Sequence, residues 1–160
     1  MNTGKWLILG IFAVALTAGV AAWLNRYYRT DAVQAFWGEK TLDLIANAPS
    51  VDVIRSPSTT DFTSLNATRA KGMLNVRYML GSDFTYDLTG EVPQLETVTF
   101  PWRLKFHGKT DMLVLEFSAD CTILRNASMK KSVRLVDAAV PNLRSFFEEL
   151  FPDPTSGESE

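Results

Sequence analysis

The sequence predicts an α+β protein: an N-terminal transmembrane helix, then a small domain in which an antiparallel β-meander packs against an N-terminal and a C-terminal amphipathic helix. Three observations predict it. An uncharged apolar run extends from Trp6 to Leu24. Apolar and polar residues alternate from Val98 to Phe106, and further strand-like stretches follow on short links. Apolar stripes at helical spacing flank that region, one around Phe36 and one around Phe146. The boundaries that follow are 1–29 for a short tail and the anchor, 30–152 for the domain, and 153–160 for an acidic tail whose composition reads as disordered.

The anchor comes first in the chain. Trp6 to Leu24 reads WLILGIFAVALTAGVAAWL, nineteen residues without a charge. As a helix it would be about 28 Å long, close to the hydrocarbon thickness of a bilayer. Trp6 and Trp23 stand at its ends, and Tyr27 and Tyr28 follow. Amphipathic rings prefer the interface, so these four are the expected membrane-interface anchors. Two other readings compete. Val20-Ala21-Ala22 would serve as the cleavage site of a secretory signal, although the apolar run exceeds the usual length and only Lys5 precedes it. A buried core helix is the other reading, which a helix apolar all round and at the extreme N-terminus fits poorly. The flanking charges, Lys5 and the α-amino group against Arg26 and Arg29, are nearly balanced. A short tail entering directly into an apolar segment is the pattern of a signal anchor, which places the domain outside the cytoplasm.

From Thr30 to Asn47 the chain reads as one amphipathic helix, with Thr30 or Asp31 as the cap and Gly38 weakening its middle. Ala48-Pro49 ends it. Val51 to Arg55 is a short strand and Ser56 to Ser64 a loop. Ser64 would cap a short helix reaching Lys71. Met73 to Leu80 fits both periods; alternation of Leu74, Val76, Tyr78 and Leu80 favours a strand, and Phe84 to Leu88 returns from a turn at Gly81-Ser82-Asp83.

The clearest signal is Val98, Phe100, Trp102, Leu104 and Phe106 on alternate positions, one buried and one solvated face of a strand. Pro101 cannot donate to a ladder and marks an edge or bulge. After a loop at His107 to Asp111 comes Met112 to Ser118, more evenly apolar and so central in the sheet. Cys121 to Arg125 and Val133 to Val136 complete the meander. The last element, Asp137 to Phe151, carries Pro141 in its first turn and an apolar stripe of Leu143, Phe146, Phe147, Leu150 and Phe151.

Composition narrows the function classes. The net charge is −2 overall, and the part after Thr30 holds 13 basic against 18 acidic residues, about −5. Its basic residues are scattered, which argues against nucleic acid as a partner. Cys121 is the single cysteine and His107 the single histidine, so neither a disulfide nor a conventional zinc site can form within the chain. No nucleophile elbow, phosphate loop or paired-histidine metal motif is present. Asp83, Asp87 and Glu91 lie close together but lack the spacing of a calcium loop. Glu116 stands out inside an apolar strand, with Arg77, Arg103 and Arg125 on other expected strands, where they would meet solvent, an anionic ligand or Glu148-Glu149.

No catalytic residue, cofactor or metal is therefore expected. The leading expectation is a single-pass, membrane-anchored module whose partners are the lipid bilayer and a protein held near it. The alternative is a domain that binds a small ligand or lipid. Phe36, Trp37, Trp102, Phe146 and Phe147 are then either the walls of its pocket or plain core.

Overall fold

Seven strands pair into one antiparallel sheet in the computed structural model, which describes residues 3–27, 30–56, 61–92 and 94–152 and, within the first of these, no side chains of 3–9 or 23–27. They are β1 (Ser50–Arg55), β2 (Thr63–Asn66), β3 (Tyr86–Asp87), β4 (Trp102–His107), β5 (Met112–Phe117), β6 (Ile123–Asn126) and β7 (Lys131–Leu135), in the order β2-β1-β4-β5-β6-β7-β3. The meander β4 to β7 forms as the alternation predicts, with β5 in the middle of the sheet. The helices are α1 (Thr3–Tyr27), α2 (Asp31–Trp37), α3 (Glu39–Asn47), α4 (Met73–Leu80) and α5 (Val140–Leu150).

Register decides what each face carries. Val53, Leu104 and Leu115 stand opposite one another, as do Val51, Phe106 and Leu113, and Phe117, Leu124 and Val133. These residues are buried together with Val33, Trp37, Ile45, Met73, Val76, Leu143 and Phe147, so α2 to α5 cover this face and share one core. The strict alternation of β4 fixes this register, because a slip of one residue would turn its apolar set outward. The opposite face carries Asp52, Arg103, His107, Glu116, Arg125 and Arg134.

Several elements differ from expectation. The helix expected over 30–47 is two helices, because Gly38 adopts φ +84 and ψ 153, a conformation essentially reserved for glycine. The segment expected to be a helix after Ser64 is the edge strand β2, paired with β1. Met73 to Leu80 is helical, not extended: Met73, Val76, Met79 and Leu80 are buried on one side while Leu74 points away, 79% exposed. Tertiary contact decided between the two periods. The strand expected from Val98 begins only at Trp102, after a 3-10 turn at Leu95–Thr97. Pro101 has no N–H for the ladder; its carbonyl accepts from Ser56 N instead, at 2.7 Å. Phe84 to Leu88 is a 3-10 turn, Asp83–Thr85, followed by the two residues of β3. Cys121 sits in a turn at φ +60, not within β6.

Helix α1 runs for 25 residues, and Ile11, Phe12, Val14, Leu16 and Val20 are exposed on it. Among the described residues no helix is long and apolar enough to cross a membrane. The expected interface anchors fall outside that set: the side chains of Trp6, Trp23 and Tyr27 are not among those described, and Tyr28 lies outside the described residues, as does the tail 153–160.

Candidate functional site

Of the acidic residues that the sequence singles out, Asp83, Asp87 and Glu116 are engaged within the fold. Asp83 does not gather with Asp87 and Glu91. Its carboxylate accepts from the backbone N–H groups of Val33 (2.8 Å) and Ala32 (3.2 Å), capping α2 from fifty residues away. Neither Thr30 nor Asp31 supplies that cap. Asp87 accepts from Thr89 and Gly90 in its own turn. Among the described residues no group of three or more His, Cys, Asp or Glu side chains is placed to hold a metal ion.

Glu116 is 7% exposed on the sheet face away from the helices. Arg125 from β6 grips it through Nη2 at 2.6 Å and Nε at 2.8 Å. Arg103 from β4 places Nε 3.1 Å from the other oxygen, an ion-pair distance without hydrogen-bond geometry. The Arg125 guanidinium also lies over the Phe100 ring at 4.1 Å, which covers this pair from outside. Two arginines on neighbouring strands thus bracket one buried carboxylate. Arg77 acts elsewhere in the fold. On α4 it donates to the carbonyls of Ile45, Ala46 and Ala48 and so satisfies the C-terminus of α3. Burial lowers its pKa.

His107 closes β4, not a loop. Its Nε2 is 2.8 Å from Asp52 on β1, and the Asn66 amide donates to both Asp52 and Ser50 at 3.0 Å. Thr68 completes this polar cluster through Ser50 and the backbone of Val51. The arrangement resembles a hydrolytic triad in composition only. The histidine is oriented by Asp52, while the Ser50 hydroxyl is tied to Asn66 and Thr68.

Cys121 is fully buried, and burial pushes its thiol up to about 11, so the thiolate needed for nucleophilic or metal chemistry is disfavoured. Beside it, burial works against the Asp120 carboxylate, but hydrogen bonds from Ser118 and Thr122 outweigh it and hold the pKa low. Burial likewise raises the Tyr86 hydroxyl, which donates to Leu80 O at 2.6 Å.

The five aromatic residues are brought together in two groups. Phe36 and Trp37 meet edge to face at 4.6 Å, and Trp37 is 1% exposed. Lys131 donates to the Phe36 carbonyl and lies over its ring. Trp102 stacks on Phe147 at 5.0 Å with planes 8° apart, and Phe146 packs against Phe147 at 5.6 Å. Trp37 and Phe147 are core residues. Phe146 has a second role: with Val76 and Met79 it floors an open groove of about 600 Å³ between α4 and α5, rimmed by Lys71, Asn75, Asn142, Ser145 and Glu149. A strand over 73–80 would leave no such groove, so the sequence-based expectation lacks it. The signal that could have found it was the spacing of Met73, Val76 and Leu80.

No family model matches the chain, and no curated protein or solved structure proves similar to it.

Proposed function

We propose that this chain is a single-pass, membrane-anchored interaction module without catalysis, with α1 in the bilayer and the domain outside the cytoplasm holding a protein partner at the membrane surface. The observation that carries this reading is the fate of the reactive side chains. Glu116 is clamped by Arg103 and Arg125, Asp83 caps α2, and the Cys121 thiol is buried. An enzyme leaves its acids and nucleophiles accessible in a cleft; here they hold the scaffold together. The uncharged Trp6–Leu24 run supports the anchor. The groove between α4 and α5, with an apolar floor and a polar rim, has the anatomy of a surface that receives another protein.

Photo-crosslinkers placed at Asn75 and Asn142 on the two rims test this in native membranes with the full chain. The expected result is one reproducible crosslinked partner seen from both positions. If neither position yields a reproducible adduct, the interaction reading fails.

A second reading, binding of a small ligand or lipid, has one observation in its favour. The groove volume of about 600 Å³ lies in the range of small-molecule sites. It predicts that a lipid extract raises the melting temperature of the detergent-solubilised chain, and that Phe146→Ala abolishes this rise.

A further inference from the structure

Strand β2 ends the sheet: β1 pairs with one side of it, and among the described residues no strand pairs with the other. All four of its residues, Thr63–Asn66, are exposed. The ladder fixes which backbone groups face outward. Ala67 N donates to Val51 O at 2.8 Å, and Leu65 stands opposite Val53 two positions along. In an antiparallel pair alternate residues bond to the partner strand. Thr63 and Leu65 therefore turn their N–H and C=O groups to β1, and Ser64 and Asn66 turn theirs outward. The Asn66 side chain does not cover them, because its amide reaches back to Ser50 and Asp52 at 3.0 Å. Sheet edges are usually blunted by charge, proline or a bulge. Phe62 to Thr68 reads FTSLNAT, without charge or proline, and the register between Asp52 and Asn66 runs on unbroken.

We infer that this edge pairs with the same edge of a second copy, antiparallel across a two-fold axis at Leu65, which joins two sheets into one. Three features select a second copy as the occupant. Ser64 and Asn66 lie symmetrically about Leu65, so the two-fold sets Ser64 against Asn66 of the second copy and satisfies every outward group of both. Leu65 then meets itself in a non-hydrogen-bonded pair, where side chains come closest. That contact continues the core. Leu115, Leu104, Val53 and Leu65 stand in one row across the sheet, the first three fully buried and Leu65 40% exposed at the open end. The strand carries no charge, so two copies meet without like-charge repulsion. Four residues a side is far less than the about 20–30 of a stable complex, so the pairing is reversible and depends on concentration. It shares no residue with the α4–α5 groove, which stays open to another protein.

The test is disulfide trapping of the full chain in detergent micelles, where the native Cys121 is buried. Leu65→Cys, Thr63→Cys and Lys109→Cys are oxidised under the same mild conditions, and rates of covalent dimer formation are compared. Each rate is normalised to that cysteine's reaction with a small disulfide reagent. Facing residues of a non-hydrogen-bonded pair lie about 4.5 Å apart at Cα, within disulfide reach. In this register the two Thr63 residues are offset by about 13 Å along the strand, beyond it. The expected result is a Leu65→Cys chain that links many-fold faster than either of the others. Adding Ser64→Pro is expected to abolish that advantage. The Ser64 N–H faces outward, so proline removes a bond to the second copy and none to β1. Ser64→Lys, which sets two like charges either side of the axis, is to slow the linkage as well and gives the same reading if proline unfolds the chain. Equal rates at Leu65 and Lys109, or a fastest Thr63→Cys, overturn the inference and leave the edge to a strand of another protein.

Discussion

The buried carboxylate of Glu116 is the residue on which most depends. Its oxygens are 2.6 to 3.1 Å from Arg103 and Arg125, with Phe100 over the latter. Truncating one partner leaves a buried charge half compensated, so Arg125→Ala is expected to cost about 1–3 kcal/mol. Removing charge from both sides costs less, because the orphaned group disappears. Chemical denaturation of the full chain in detergent micelles checks this: Glu116→Leu with Arg125→Met is expected to be more stable than Arg125→Ala alone, and the reverse order would refute the account. Cys121 provides a second prediction at this scale. With its thiol buried and pushed up to about 11, it is expected to resist maleimide at neutral pH and to react fully once the chain is unfolded. The sign of its pH dependence follows from the raised value. The folded state holds the proton more tightly, so stability is unchanged well below about 9 and falls as pH rises towards about 11. The sequence marked Glu116, Arg103 and Arg125 as unusual but did not join them. Their meeting depends on the register that sets Arg103 opposite Glu116 and Glu116 opposite Arg125, a property of two strand pairings and not of any one strand.

Among the elements, the break between α2 and α3 carries the sharpest prediction. An added Cβ at Gly38 would meet nothing within 4 Å, so Gly38→Ala introduces no clash. The conformation at φ +84 and ψ 153 is the only obstacle, and its cost is about 1–3 kcal/mol. An unchanged denaturation midpoint would mean that the two helices can fuse without loss. At the other end of α2, Asp83→Ala removes the acceptor for two first-turn N–H groups and is expected to cost about 0.5–2 kcal/mol, with Asp83→Asn recovering most of it. If Ala and Asn behave alike, the cap is not what stabilises α2. The elements read correctly from sequence are those where one signal dominates: the evenly apolar run of β5, the C-terminal half of the 98–106 alternation, and the stripe of α5. The misread ones obey two periods or a distant partner. Met73 to Leu80 satisfied both templates, and only its seat against α3 and α5 selects the helix. The cap of α2 lies across the fold from it, where no local pattern points.

For the whole molecule, the buried Cys121 makes the proposed placement of the domain outside the cytoplasm testable. With its native thiol inaccessible, the folded chain behaves as if cysteine-free, so one introduced cysteine reports alone. Lys109 on the β4–β5 hairpin is exposed and lies far along the chain from α1. If α1 is a signal anchor, Lys109→Cys is expected to react with a membrane-impermeant maleimide in intact cells, while the parent chain does not. Labelling only after permeabilisation would put the domain in the cytosol. The nearly balanced charges that flank the Trp6–Leu24 run make either outcome physically accessible, since Lys5 stands on one side of it and Arg26 and Arg29 on the other. The acidic surplus of about −5 beyond Thr30 does not decide it, because acidic residues contribute little to orientation. Moving that balance is the stronger form of the experiment. Replacing Arg26 and Arg29 by Gln while adding two lysines beside Lys5 is expected to leave an outward domain outward, and to turn an inward one round, so that Lys109→Cys becomes reactive only in the altered chain. The pair of labelling results then assigns the side and shows whether the flanking charges set it.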